Sequence, residues 1–305
     1  MEQYNCTLYN CKSLKKLQTY LCISDNKHFN VLKLELNNNP FSFFKKFEKN
    51  GRELFICNRK ITQIHRRLIK LFNIEISEYL KSGVKKESHI TNALAHKDSN
   101  FFLLIDIKGF YPSTTKSKIK KQLILTYKQS SNVAEFISNA VTVPQTKANG
   151  KRALVTGSVL SQYFAYVINK KMFDELYFLS KQEGVTFSVY VDDITFSSKK
   201  VLTYKFHQKV YNIVKKYGYT IHNGKVYRGK INTKSKVTGV HITKYGFRLL
   251  DKHRTKIKEL RDKKDLQSQK SLIGLLNYAI QVNPKYKRYK NIIEQKIKFN
   301  MKSFN

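Results

Sequence analysis

Two adjacent carboxylates sit where a pair of strands has to bend. In Val185–Ser198, Phe187, Val189 and Val191 alternate with Ser188, Tyr190 and Asp192, and past the acidic pair Ile194 and Phe196 alternate with Thr195 and Ser197. Period-two alternation on both sides predicts a β-hairpin bending at Asp192-Asp193. A tight hairpin prefers Asn-Gly or Asp-Gly at its bend, because the central residues take positive φ. Neighbouring carboxylates repel each other, so hairpin structure alone gives no reason for them. Two solvated turn aspartates are the simplest account of an isolated Asp-Asp. Here the background is extreme: 58 Lys and Arg against 21 Asp and Glu leave the chain at +37. Acids kept together in so basic a chain point to divalent-cation binding.

The same excess calls for a polyanionic partner, nucleic acid ahead of a membrane surface. No apolar run approaches the ~20 residues of a spanning helix, and the longest, Phe101–Ile105, has strand length. Met1–Asn10 lacks the basic-then-apolar order of a signal peptide. Cys6, Cys11, Cys22 and Cys57 show neither C-x-x-C spacing nor matching His pairs. A reduced cytoplasmic protein without structural zinc is therefore expected. With 41% hydrophobic and 13% aromatic residues over 305 positions, the chain can bury a core of one multilobed unit or several subdomains.

Along the chain, Asn37-Asn38-Asn39-Pro40 predicts a helix start, with Phe41, Phe44 and Phe47 on one helical face. Asn50-Gly51 predicts a turn and Arg52–Cys57 a strand. Ile61, Ile64, Leu68 and Leu71 share one face of a basic helix placed at 60–80. Thr91–His96 reads as a helical turn with Asn92 and His96 on one side. Phe101–Asp106 is a buried strand ending in an acid. Helices follow at Thr114–Tyr127 and Val159–Leu179, the second capped by Ser158. Past the acidic hairpin come a helix over Leu202–Tyr217, a small hairpin over 219–227, a strand over Val237–Ile242 and basic helices from Ile257 onward. This order predicts an α+β fold, an antiparallel sheet with helices on one face. Asp106 and Asp192-Asp193 then share a sheet, and three converging carboxylates can clamp two Mg²⁺ for phosphoryl transfer.

At these residues the chain resembles the reverse transcriptases, and among them the retron reverse transcriptases of bacteria. Leu103–Ser113 (Leu-Leu-Ile-Asp-Ile-Lys-Gly-Phe-Tyr-Pro-Ser) is similar to the first catalytic motif of the palm, and Tyr190–Asp193 to the Tyr-x-Asp-Asp box. Asn92-Ala93-Leu94-Ala95-His96 fits the retron pattern Asn-Ala-x-x-His, and Val237-Thr238-Gly239 the retron Val-Thr-Gly. The resemblance implies a right-hand polymerase fold with fingers (31–100 and 114–150), an antiparallel-sheet palm (101–113 and 151–244) and a small RNA-binding helical thumb (245–305), after an N-terminal extension (1–30). It implies that Asp106, Asp192 and Asp193 are the catalytic, metal-binding residues, with the Ile107 carbonyl helping to hold two Mg²⁺. Tyr111 would stack beneath the incoming sugar and select dNTPs, Arg52 would contact the triphosphate, and Lys225 would lie near the leaving pyrophosphate. Asn92, His96, Val237, Thr238 and Gly239 become candidates for RNA recognition.

The implied activity is RNA-templated DNA synthesis from dNTPs on a structured non-coding RNA that is both template and primer. Its products would be an RNA–DNA hybrid and branched, RNA-linked single-stranded DNA (msDNA). The implied setting is anti-phage defence in the cytoplasm, with an effector or toxin protein and no membrane. A group II intron-like or abortive-infection reverse transcriptase, and a catalytically inactive RNA-binding relative, are the other readings. The chain departs from the family at Gly109, which replaces an acidic or polar residue. It departs again at Lys151–Ser158, where Pro-Gln-Gly-x-Pro-x-Ser-Pro is expected, although Val159-Leu160-Ser161-Gln162 fits. Separately, Tyr286, Lys287 and Arg288, between Lys285 and Tyr289-Lys290, interleave cations and aromatics as an RNA contact would.

Overall fold

A computed structural model describes residues 6–231, 236–263 and 265–302. Helices α1 (Leu14–Tyr20) and α2 (Asn26–Asn38) precede the hairpin β1 (Phe44–Lys49) and β2 (Arg52–Cys57), then α3 (Arg59–Leu71) and α4 (His89–Leu94). Strand β3 (Phe101–Asp106) leads through the helical turn α5 (Phe110–Ser113) to α6 (Lys116–Leu125), α7 (Ser131–Val141), β4 (Thr142–Pro144) and β5 (Arg152–Leu154). The long α8 (Ser161–Gln182) feeds β6 (Thr186–Tyr190) and β7 (Asp193–Ser198), followed by α9 (Tyr204–Lys216) and β8 (Tyr227–Lys230). A small sheet, β9 (Lys236–Val237), β10 (Val240–Thr243) and β11 (Gly246–Arg248), joins these to α10 (Asp251–Arg261), α11 (Leu266–Val282) and α12 (Tyr286–Lys302).

The fold is α+β, as expected. Its central sheet runs β6-β7-β3-β8 with every pairing antiparallel. Alternation along β3 divides its side chains between two cores. Leu103 and Ile105 join Phe187, Ile194 and Phe196 in the larger one, with residues of α8 and α9. Phe102 faces the other way, into a core built with Ile90 and Ala93 of α4, Val240 and Ile242 of β10 and the C-terminal helices. Helices on one face alone, as expected, would leave Phe102 in water. Both faces are covered, which is what an unbroken apolar run such as Phe101–Ile105 requires. Phe196, fully buried, packs between Phe187 at 5.0 Å and Phe206 at 5.3 Å. Its replacement by Ala would cost on the order of 3–5 kcal/mol.

Several elements depart from the sequence expectations. Pro40–Ser42 is a single 3₁₀ turn, not the start of a helix, and Phe44 belongs to β1. Asn58 ends the turn by donating from Nδ2 to Ser42 O at 3.1 Å. Phe44 and Phe47, three apart, fall on opposite faces of a strand, so Phe44 is buried and Phe47 exposed. Helix α3 stops at Leu71, well short of 80. The 219–227 stretch is no hairpin, because both its halves pair with the β3 side. Ile221 bridges Ile107 and Tyr227 pairs Leu104, so Asn223–Lys225 bulges outward as a 3₁₀ turn. Val237–Ile242 is likewise not one strand: it folds back at Thr238-Gly239 to make the β9–β10 hairpin. Residues 8–29 are not an appended extension. Leu8, Leu17, Leu21 and Phe29 lie in the larger core, with Phe29 stacked on Phe136 at 5.0 Å.

The departing segment at Lys151–Ser158 is well built. Ala153, Leu154 and Val155 are fully buried. Arg152 donates to the carbonyls of Leu36, Asn37, Asn139 and Thr142 at 2.7–3.3 Å, near the ends of α2 and α7 where helical carbonyls lack partners. Gly157, at φ 98°, passes so close to β2 that a Cβ would meet Phe55 O at 2.8 Å. Phe55 N donates to Thr156 O, and Thr156 Oγ1 to Glu53 O, both at 2.9 Å. Ser158 does not cap α8, which begins at Ser161. Its hydroxyl pairs with His65 Nδ1 at 2.6 Å, and its oxygen accepts from Leu160 N at 3.2 Å.

Candidate active site

The β3–β7 register sets Asp106 directly opposite Asp193, and opposed residues share a face of the sheet. Tyr190 pairs with Asp193, so the β6–β7 hairpin closes through two residues, Val191 and Asp192. Val191 stands at φ 61°, a left-handed conformation that a β-branched residue rarely adopts. Such strain costs on the order of 1–3 kcal/mol and persists only where the surroundings impose it. Two hydrogen bonds impose it here. Val191 N donates to Ser82 Oγ at 3.0 Å, and Ile107 N donates to Asp192 O at 3.1 Å.

The acids repel each other where they meet. Burial, then the charges of Asp192 and Asp106, push the Asp193 carboxyl up to about 6. Burial also raises Asp192, with Asp106 adding to it and Lys225 and Arg52 pulling it down. Lys225 answers part of the charge: its Nζ donates to Asp106 Oδ2 at 2.8 Å, and that bond first of all raises the lysine. The 3₁₀ bulge at Asn223–Lys225 carries this side chain past the edge of the ladder. Burial, then the Asp192 charge, keeps the Tyr111 hydroxyl protonated well above its ordinary range. Seven residues singled out in the sequence are thus gathered at one place: Arg52, Asp106, Ile107, Tyr111, Asp192, Asp193 and Lys225.

A cleft of about 520 Å³ opens beside them, bounded by Asp106, Asp193, Lys225, Lys236, Thr238 and Gly239. Among the described residues, no three Asp, Glu, His or Cys side chains are drawn together tightly enough to hold an ion as they stand. Hard carboxylate oxygens whose repulsion Lys225 only partly relieves nonetheless fit Mg²⁺, which takes one or two protein carboxylates and completes its shell with water and substrate phosphates.

The retron-pattern residues have a different place. Asn92 and His96 are fully buried. His96 bridges two strands of the sheet through Ser197 Oγ at 2.6 Å and Ser188 Oγ at 2.7 Å. Burial above all depresses this imidazole to about 3, so it stays neutral. Asn92 Nδ2 donates to Thr238 Oγ1 at 3.2 Å, and Thr238 Oγ1 donates to His89 O at 2.7 Å. The two patterns are therefore one piece of structure, in which α4 locks the β9–β10 turn against the sheet. Direct contact with RNA is closed to Asn92, His96 and the buried Val237; only Thr238 and Gly239 reach the cleft. Tyr286, Lys287 and Arg288 open α12, and none of them bounds the cleft. Lys287 and Arg288 are exposed, while Tyr286 packs on the smaller core. Sequence reading missed Ser82 and Lys236. Ser82 acts 109 positions from its partner, and Lys236 is one lysine among many.

No protein-family model matches the sequence. The chain is similar to retron reverse transcriptases. It is 27% identical to the retron Mx162 reverse transcriptase of Myxococcus xanthus, over 53% of this chain and 38% of that one. It is 28% identical to the retron Se72 reverse transcriptase of Salmonella heidelberg, over 54% and 42%. It is 26% identical to the retron Ec86 reverse transcriptase of Escherichia coli, over 71% and 65%. The chain thus spans 38–65% of the length of these curated relatives. Among solved structures, a Candida albicans telomerase in complex with a fragment of telomeric RNA aligns over 85% of this chain and 56% of its own at 15% identity, with a TM-score of 0.49. A foamy viral protease-reverse transcriptase in complex with RNA/DNA hybrid aligns over 77% and 27% at 20% identity, with a TM-score of 0.46.

Proposed function

We propose that this relative of the retron reverse transcriptases is itself an RNA-directed DNA polymerase, extending a strand from dNTPs on a structured RNA. The observation that carries the reading is the β3–β7 register, which opposes Asp106 to Asp193 and leaves Asp192 in the adjoining turn. In this reading Asp106, Asp192 and Asp193 are the ligands of two Mg²⁺, helped by the Ile107 carbonyl. Bound there, the ions supply an activated attacking oxygen and a stabilised leaving oxygen.

The chain's own groups do the positioning. Arg52, on the β1–β2 hairpin, neutralises the triphosphate. Tyr111 lies under the sugar, where an aromatic ring clashes with a 2′-hydroxyl and favours dNTPs. Lys225 holds Asp106 through its Nζ at 2.8 Å; with Asp106 serving as a metal ligand, this ammonium would be free to neutralise the departing pyrophosphate. Fingers at 31–100 and 114–150, a palm at 101–113 and 151–244 and a thumb at 245–305 describe the division of labour, with residues 8–29 built into the base of the fingers. The product is RNA-linked single-stranded DNA of the msDNA kind. Phage defence with an effector protein, in the cytoplasm, is the setting this reading carries with it.

The test is incorporation of labelled dNTPs by the purified chain with its cognate RNA and Mg²⁺. Incorporation by wild type and its loss in Asp192→Asn support the reading. Failure of wild type, with RNA binding intact, leaves a non-catalytic RNA-binding protein instead. Nucleic acid co-purifying with the chain that is degraded in part by RNase and in part by DNase identifies the branched product.

A further inference from the structure

One face of the small β9–β11 sheet is used by nothing described so far. Its other face buries Val237, Val240 and Ile242 in the smaller core, so this one points to solvent. The register sets Lys236 opposite His241, and His241 opposite Arg248, giving a lateral row of three nitrogen side chains on adjacent strands. Neighbouring strands lie about 4.8 Å apart, so the row spans about 10 Å, wide enough for two successive phosphates of an extended strand.

Charge around the row is one-sided. Between Asp193 and Asp251 the chain has no Asp or Glu at all. Among the described residues Lys236 and Lys244 make no ion pair, although ion pairs are common elsewhere on this surface. Asp251, the one acid beside the row, is already engaged by Arg254 and, at 3.7 Å, by Arg248. Burial, then the Lys236 charge, lowers His241, so near neutral pH it is an uncharged donor and acceptor between two cations. To one side of the row, past the ends of the strands, the β10–β11 turn projects Tyr245, 99% exposed. A bare tyrosine beside lysines is a stacking platform for an unpaired base. These groups surround a hollow of about 370 Å³, and Lys236 also borders the acid cleft, so the two adjoin.

We infer that this face is a binding surface for an unpaired RNA segment next to the acid cleft, with backbone phosphates along Lys236–His241–Arg248 and one base on Tyr245. It rests on the nucleic-acid reading above, though not on catalysis. It also relocates RNA recognition from α12, where the sequence pattern suggested it, to the sheet.

The test measures fluorescence anisotropy of a labelled short single-stranded RNA with the full chain over a range of KCl concentrations. Lys236→Gln/Arg248→Gln should weaken binding about tenfold and flatten the dependence of log affinity on log salt by about 1.4, because each single-strand phosphate contact contributes about 0.7. Tyr245→Ala should weaken binding about fivefold with the slope unchanged, since stacking releases no counterions. Lys199→Gln/Lys200→Gln, which removes the same charge from an exposed loop, controls for net charge and should shift affinity less than about twofold. Circular dichroism confirms folding, and the fully exposed Tyr245 gives a variant whose fold is not at stake. If the row variant and the control behave alike, the inference is overturned. It is overturned equally if polyglutamate binds as tightly as RNA and with the same dependence on the row, which would assign an acidic protein partner. Primer extension run beside the binding assay separates the two proposals: wild type that binds as described but never extends defeats the polymerase reading and leaves the surface standing.

Discussion

Of the hairpins that turn through two residues, β1–β2 and β6–β7 treat the backbone in opposite ways. Between β1 and β2 the turn is Asn50-Gly51, at φ 53° and 67°. These residue types take left-handed conformations at little cost, and nothing lies within 4 Å of the position a Gly51 Cβ would occupy. Between β6 and β7 the turn is Val191-Asp192. It holds a β-branched residue at φ 61° and brings two carboxylates to within reach of a third. The first hairpin is shaped by its own sequence. The second is held against its sequence by Ser82 and Ile107, from outside the hairpin. A strained β-branched residue and like-charge repulsion meet in the turn that carries two of the candidate catalytic acids, and the surrounding fold offsets them.

The contrast can be broken by mutation, beginning with the largest effect. Asp106→Asn, Asp192→Asn or Asp193→Asn should each lower dNTP incorporation by at least about a thousandfold, the loss of on the order of 4 kcal/mol of transition-state stabilisation. At Asp193 the change should also help the protein fold. Asp193 in the folded chain holds its proton up to about 6, against an ordinary aspartate value of 3.8, so the native state binds that proton more tightly than the unfolded state. The stability this proton contributes is therefore fully present below about pH 4 and is lost as pH rises through about 6. In EDTA near pH 7.5, Asp193→Asn should raise the free energy of unfolding by on the order of 2 kcal/mol, an advantage that vanishes at about pH 4. Urea unfolding at the two pH values decides it, and equal stabilities at both would remove the repulsion argument.

Ser82→Ala takes away one strut. It should cost about 1 kcal/mol in the same unfolding assay, and about tenfold in incorporation through misplacement of Asp192. If incorporation is unchanged, the strut has no part in placing the acid. Gly51→Ala, in the relaxed hairpin, should cost about 1 kcal/mol through its positive φ and leave incorporation within about twofold of wild type. A large activity loss there would mean the two turns are less different than their backbones suggest.

How much of the fold and the site is legible in the sequence varies with the range of the interaction. The Asn50-Gly51 turn and the strand at Phe101–Asp106 stand at their expected places, because alternation and turn chemistry are local signals; the acidic hairpin is present but bends one residue earlier than expected, at Val191-Asp192, with Asp193 already in β7. Phe41, Phe44 and Phe47 mislead, since three-residue spacing fits a helix until the pairing with β2 overrides it. The 219–227 stretch misleads because a hairpin and a bulged return along β3 place the same residues at the same turn. Asn92 and His96 look in the sequence like residues facing a ligand, yet the fold needs them to satisfy Ser188, Ser197 and Thr238.

Sequence alone determined the antiparallel α+β class, the presence of the three carboxylates and the strong excess of positive charge, because periodicity, residue chemistry and net charge are properties of the chain before it folds. Tertiary structure decided which cation meets Asp106, what holds Val191 in its left-handed conformation, and that Asn92 and Thr238, 146 positions apart, form a single lock. A buried polar group must find a partner wherever the fold provides one, and that partner is chosen by packing across the whole molecule, which no local pattern records.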